Sequence, residues 1–126
     1  MSKPTILVVE DDSHVRLAIV KGLERDGYDV LEARDGATGL SLNSIHRPDL
    51  IVTDIMMPDR DGLELIRAIR EDSLDLPILA ISSSVSLFLE MAGDLGADFL
   101  LAKPFRVADL LAAVDALLVS APAAIS

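Results

Sequence analysis

Four apolar runs in this 126-residue chain end on residues able to do chemistry. Residues 5–9 stop on Glu10 and Asp11, residues 50–53 on Asp54, residues 78–81 on Ser82 and residues 99–102 on Lys103. Short runs rich in Ile, Val and Leu read as strands buried on both faces, the habit of a parallel sheet. In such sheets ligands bind beyond the carboxyl ends of the strands, so all five residues project at one edge. Three carboxylates in one cleft do not all stay ionised cheaply without cations to offset them. Lys103 supplies one positive charge. Ligation by carboxylate, carbonyl and water oxygens suits Mg²⁺, which keeps several waters and is commonly completed by a phosphoryl group. There is no histidine or cysteine cluster to suit zinc or iron. A carboxylate beside such an ion can attack phosphorus and form an acyl phosphate. Phosphoryl transfer then needs positive charge on the non-bridging oxygens more than it needs a base, and Mg²⁺, the Lys103 ammonium and the Ser82 hydroxyl would supply it.

The elements that must position these residues alternate along the chain, strand with amphipathic helix, in five rounds, the pattern of parallel βαβ units. After the first strand, Asp12 or Ser13 caps a helix whose inner face is Val15, Ile19 and Leu23, and Gly27 closes it. Residues 28–33 form the second strand. Asp35 caps the second helix, which runs to about Ile45 with Leu40 and Ile45 as its core residues and ends before Pro48. The third strand, residues 50–54, breaks at Pro58. Asp61 is a candidate cap for a third helix with Leu63, Ile66 and Ile69 inside. The fourth strand covers residues 78–81. From Val85 a fourth helix carries Val85, Leu87, Phe88, Leu89, Met91 and Leu95, too many to share one stripe, which leaves part of it free for a partner. The fifth strand covers residues 99–102. The last helix sets Val107, Leu110, Leu111, Val114 and Leu118 on one face. His14 and His46 stand alone and read as solvated side chains.

Length fits one domain, over residues 1–119, followed by a flexible tail at residues 120–126. No apolar run approaches the roughly 20 residues of a bilayer-spanning helix, and no leader precedes the first strand, so a soluble, cytoplasmic protein without membrane insertion is expected. The chain has no cysteine, which excludes disulfides and thiolate metal sites. A formal charge of −10 opposes direct binding to nucleic acid, whose phosphates repel such a surface.

The motifs Ile-Leu-Val-Val-Glu-Asp-Asp at 6–12, Asp-Ile-Met-Met-Pro-Asp-Arg-Asp-Gly at 54–62 and Lys-Pro-Phe at 103–105 resemble the receiver domain of bacterial two-component response regulators. The resemblance covers nearly the whole chain. It implies a doubly wound, flavodoxin-like α/β fold with five parallel strands in the order 2-1-3-4-5 and five helices, in a single-domain regulator. It also implies a signalling phosphoacceptor, catalysing only its own phosphorylation and dephosphorylation. Asp54 would take the phosphoryl group from a histidine kinase or histidine phosphotransfer protein and change binding to a downstream protein target. Asp11 and Asp54 would hold Mg²⁺ directly and Glu10 through water, with the main-chain carbonyl of Met56 completing the set. Ser82 and Lys103 would meet the phosphoryl oxygens, and the Lys103–Pro104 bond is often cis in such proteins.

Two features depart from the pattern. The family usually has Tyr or Phe three residues before the lysine. Here that position is Leu100, and the aromatic Phe99 comes one residue earlier, on the opposite face of a strand, so the usual aromatic switch is not carried over. The segment from Ser82 to Gly96 is short and apolar and lacks the charged pattern of the transcription-factor dimer surface. An alternative reading makes that segment the core of a phosphorylation-independent interaction module. A phosphohydrolase of the haloacid dehalogenase type would need an acid two residues after Asp54, where Met56 stands.

Overall fold

The computed structural model describes residues 3–57, 61–83 and 96–120. Five parallel strands form one sheet: β1 (Thr5–Val9), β2 (Asp29–Ala33), β3 (Leu50–Asp54), β4 (Ile78–Ser82) and β5 (Phe99–Ala102). Their order is β2-β1-β3-β4-β5, as the resemblance implied. The helices are α1 (Ser13–Arg25), α2 (Gly36–His46), α3 (Asp61–Asp72) and a C-terminal helix (Val107–Ser120). The expected helix from Val85 and the tail at 121–126 lie outside the described residues.

Side chains leave opposite faces of a strand in turn, so the sheet feeds two cores. Val8 and Val52 pack with Ile19 and Leu23 of α1 and Leu110 and Val114 of the C-terminal helix. Val9 and Ile51 pack with Leu65, Ile66 and Ile69 of α3. β3 and β4 are buried along their whole length, which is why they read as unbroken apolar runs.

Local chemistry sets the helix ends. Asp12 is the N-cap of α1, accepting from the N–H groups of His14 and Val15, and Asp35 caps α2 by accepting from Thr38. Those hydrogen bonds hold both carboxyls below the usual carboxylate range. Gly27, at φ 94°, takes the left-handed conformation after α1, and Tyr28 N–H then bonds back to Leu23. That contact starts β2 at Asp29 rather than Tyr28. The second helix ends on Arg47, itself left-handed at φ 47°, with its N–H on Asn43.

One core assignment is corrected. Ile45 is 72% exposed, while Leu40 packs against the α3-side core. Five residues advance a helix by about 500°, so positions 40 and 45 are turned roughly 140° apart and do not share a face. Small residues do the close packing instead: Gly36 and Gly39 are the buried residues of α2. Asp61 is the first residue of α3 rather than its cap, and Ser82 belongs to β4.

Gly62 fixes how closely α3 approaches the end of β3. A Cβ there would lie 2.0 Å from the Asp54 carbonyl oxygen and 2.7 Å from Ile55 Cα, inside contact distance of backbone that cannot swing away. Gly62→Ala should therefore cost about 3 kcal/mol, the upper end for overpacking, measured as a lower urea midpoint with an unchanged m-value.

Candidate functional site

The sheet ladder runs one residue past several strand ends. Glu10 N–H bonds to Ala33, Ile55 N–H to Ile81 and Lys103 N–H to Ser82. Val8, Val52 and Leu101 all face the α1-side core. Two residues further along each strand, on the same pleat, come Glu10, Asp54 and Lys103. Their convergence follows from period two and parallel register.

Lys103 Nζ lies 2.7 Å from Asp54 Oδ2 and 3.0 Å from Glu10 Oε1. The contact to Asp54 is a hydrogen bond. Glu10 Oε1 has close charge but no aligned donor, and is a buried oxygen without a hydrogen-bond partner among the described residues. Glu10 and Asp54 are 1% and 2% exposed. The other oxygens are held by backbone: Asp54 Oδ1 accepts from Met56 N–H at 2.9 Å, and Glu10 Oε2 from Asp12 N–H at 3.1 Å. Asp11 is exposed beside them. Glu10, Asp11 and Asp54 each offer an oxygen within 4.8 Å of the others.

Burial pushes the Glu10 carboxyl up to about 7, with the Asp54 charge adding to the rise and the Asp12 N–H and Lys103 opposing it. Burial works against the Lys103 ammonium, but its hydrogen bond to Asp54 and the adjacent charge of Glu10 outweigh that and raise it. With all three acids ionised, three negative charges against one ammonium leave two, the charge of a divalent cation. Oxygen-only donors and that residual charge fit Mg²⁺.

Of the residues singled out in the sequence, Glu10, Asp11, Asp54 and Lys103 are brought together by these contacts. Ser82 is buried at the end of β4, one step past Ile81, which is the register partner of Asp54. Met56 follows two residues after Asp54 and is held to it through its N–H. The Lys103–Pro104 bond is cis. His14 and His46 are both exposed. An open groove of about 590 Å³ adjoins Lys103, lined by Val15, Ala18, Pro104, Phe105 and Val107 among others. Arg16 was not legible as a site residue, yet its Nη1 donates to the Glu10 carbonyl at 2.7 Å. An arginine on an amphipathic helix ordinarily reads as solvated surface.

A profile of the response regulator receiver domain matches residues 6–115. Response regulator MprA of Mycobacterium sp. (strain KMS) and that of Mycobacterium avium (strain 104) are each 46% identical over 114 residues, 90% of this chain and 50% of theirs. The chain thus spans about half the length of the curated relatives it matches. Among solved structures, the receiver domain of Francisella response regulator 1452 superposes with a TM-score of 0.83 at 32% identity, covering 92% of this chain and 97% of that one. The chemotaxis response regulator CheY4 of Vibrio cholerae gives 0.84 at 30% identity, covering 92% and 99%.

Glu10 generates a pH prediction. Its carboxyl lies at 4.5 ordinarily and at about 7 in the fold, so between those values the unfolded chain loses the proton while the folded chain keeps it. Stability then falls as pH rises through that window and levels off above it. Lys103 stays charged throughout. Without divalent ions, the stability of Glu10→Gln relative to wild type should rise from pH 5 to pH 8 in urea titrations, and a difference independent of pH would contradict the assignment.

Proposed function

The chain belongs to the response regulator receiver domain family, and from that premise we propose that Asp54 accepts a phosphoryl group in a Mg²⁺-dependent reaction and that this changes the binding of a downstream protein. The donor is the phosphohistidine of a histidine kinase or of a histidine phosphotransfer protein. The observation that carries the reading is the buried Asp54 carboxylate, held at Oδ1 by Met56 N–H and at Oδ2 by Lys103, within reach of Glu10 and Asp11.

In the proposed reaction an Asp54 oxygen bonds to phosphorus as the phosphorus–nitrogen bond to the donor imidazole breaks, and the departing imidazole takes up a proton. Glu10, Asp11, Asp54 and the Met56 carbonyl would hold Mg²⁺, which when bound neutralises charge on the phosphoryl oxygens. The Met56 N–H fixes the rotamer of Asp54. Lys103 stands ready to transfer its hydrogen bond from Asp54 Oδ2 to a phosphoryl oxygen, and the Ser82 hydroxyl, one strand away, can take another. The apolar groove beside Lys103 gives the donor protein a surface next to Asp54. The chain acts as a signalling phosphoacceptor in the cytoplasm and makes no direct contact with nucleic acid through residues 1–119; these assignments rest on the family and on the charge of −10.

The test is exposure to acetyl phosphate with Mg²⁺, followed by intact-mass measurement. Wild type should gain one phosphoryl group, while Asp54→Asn and EDTA-treated wild type gain none. Failure of wild type to react, or labelling that survives in Asp54→Asn, would sink the proposal.

A further inference from the structure

What orients the peptide joining Glu10 to Asp11 lies outside the acidic cluster. Glu10 N–H is committed to Ala33 at 3.0 Å, and its carboxylate accepts from Asp12 N–H. Its carbonyl accepts from Arg16 Nη1 at 2.7 Å. Nε of the same guanidinium donates to Glu32 Oε1 at 3.3 Å. The Arg16 side chain is only 16% exposed, whereas Glu32 is half exposed. Glu32 sits on β2 opposite Val8 of β1. One rigid fork therefore ties α1, the turn after β1 and the neighbouring strand together.

We infer that Arg16 is a positioning residue for the divalent-cation site: by holding the Glu10 carbonyl against β2, it sets the peptide from which both acids of the pair are aimed. The inference rests on the reading of Glu10 and Asp11 as cation-holding groups. An exposed Arg–Glu pair by itself contributes little. Here the guanidinium is largely buried and also makes a charge-assisted bond to a backbone carbonyl, which is stronger than a neutral one. Arginine presents its donors in a fixed planar array, and lysine cannot serve both partners in that geometry.

The sign of the effect separates position from charge. A guanidinium near the cluster repels a cation, so losing its charge alone would tighten Mg²⁺ binding. Losing the orientation of the pair weakens it. Groups that orient metal ligands are typically worth 10- to 100-fold in affinity. Arg16 acts through backbone rather than on a ligand atom, which places it at the lower end.

The test is calorimetric titration of the full chain with Mg²⁺, with circular dichroism to report folding and the Mg²⁺ dependence of the acetyl phosphate reaction as a second readout. Arg16→Ala should weaken Mg²⁺ binding about tenfold. Arg16→Lys should fall between it and wild type, and Glu32→Ala should cost about twofold. At saturating Mg²⁺ the reaction rate should return to that of wild type in all three. Equal or tighter Mg²⁺ binding by folded Arg16→Ala overturns the inference. If Arg16→Ala does not fold, unchanged Mg²⁺ binding in both Arg16→Lys and Glu32→Ala overturns it. Absence of Mg²⁺ binding by wild type overturns the reading of the acidic cluster itself, and the inference with it.

Discussion

One ammonium shared by two buried carboxylates is the constraint on which the rest of the molecule turns. Lys103 reaches both Glu10 and Asp54, within 3.0 Å and 2.7 Å, and neither acid has appreciable contact with solvent. Breaking a buried pair by removing one partner typically costs about 3–5 kcal/mol, because the remaining charge is stranded. The arrangement is therefore affordable only if three separate strands deliver their ends to one point. Even then the charges do not cancel: with Asp11 beside the pair, three carboxylates outnumber the one ammonium by two when all are ionised.

The strand order supplies that delivery. Neighbouring strands lie about 4.8 Å apart, so β1 and β3 set Glu10 and Asp54 side by side, while β5 stands about 10 Å from β3 with β4 between. Only a long side chain spans that gap. The intervening strand ends on Ser82, whose carbonyl accepts from Lys103 N–H. The parallel ladder levels the ends, since each of β1, β3 and β5 is continued by one backbone hydrogen bond past its last paired residue. Gly62 lets α3 close over the end of β3 without displacing the Asp54 peptide. Packing and site geometry are thus the same problem solved once.

Much of this was legible because it rests on side-chain types at fixed spacing. Continuous apolar runs marked the central strands, and the coincidence of acids, serine and lysine at equivalent strand ends marked the site. Asp35 was readable as a cap, and Asp12 as one of two candidates beside Ser13, because a short polar residue before a helix commonly plays that part. Ile45 was misread for the opposite reason, since apolar character says nothing about which way a residue five positions on is turned. Arg16 escaped because its partner is the Glu10 carbonyl, a backbone group that every residue carries and no letter in the sequence distinguishes.

The fifth strand leads into Lys103, the partner of Asp54. Among the described residues β5 is an edge strand, paired with β4, and its four residues are exposed or half-buried where β3 and β4 are fully buried. Leu100 packs against the α3-side core while Phe99, on the other pleat, is exposed, so no aromatic side chain at position 100 is available to report a movement. The start of the strand is clamped. Arg70 of α3 binds the Gly96 carbonyl and Asp98, and Asp98 also receives Ile78 N–H. Its other end carries Lys103, tied inward by the two carboxylates. Pro104 and Phe105 follow, and Phe105 packs against the core that the C-terminal helix shares. The strand is thus held at its start by a guanidinium and at its end by the ion pairs of Lys103.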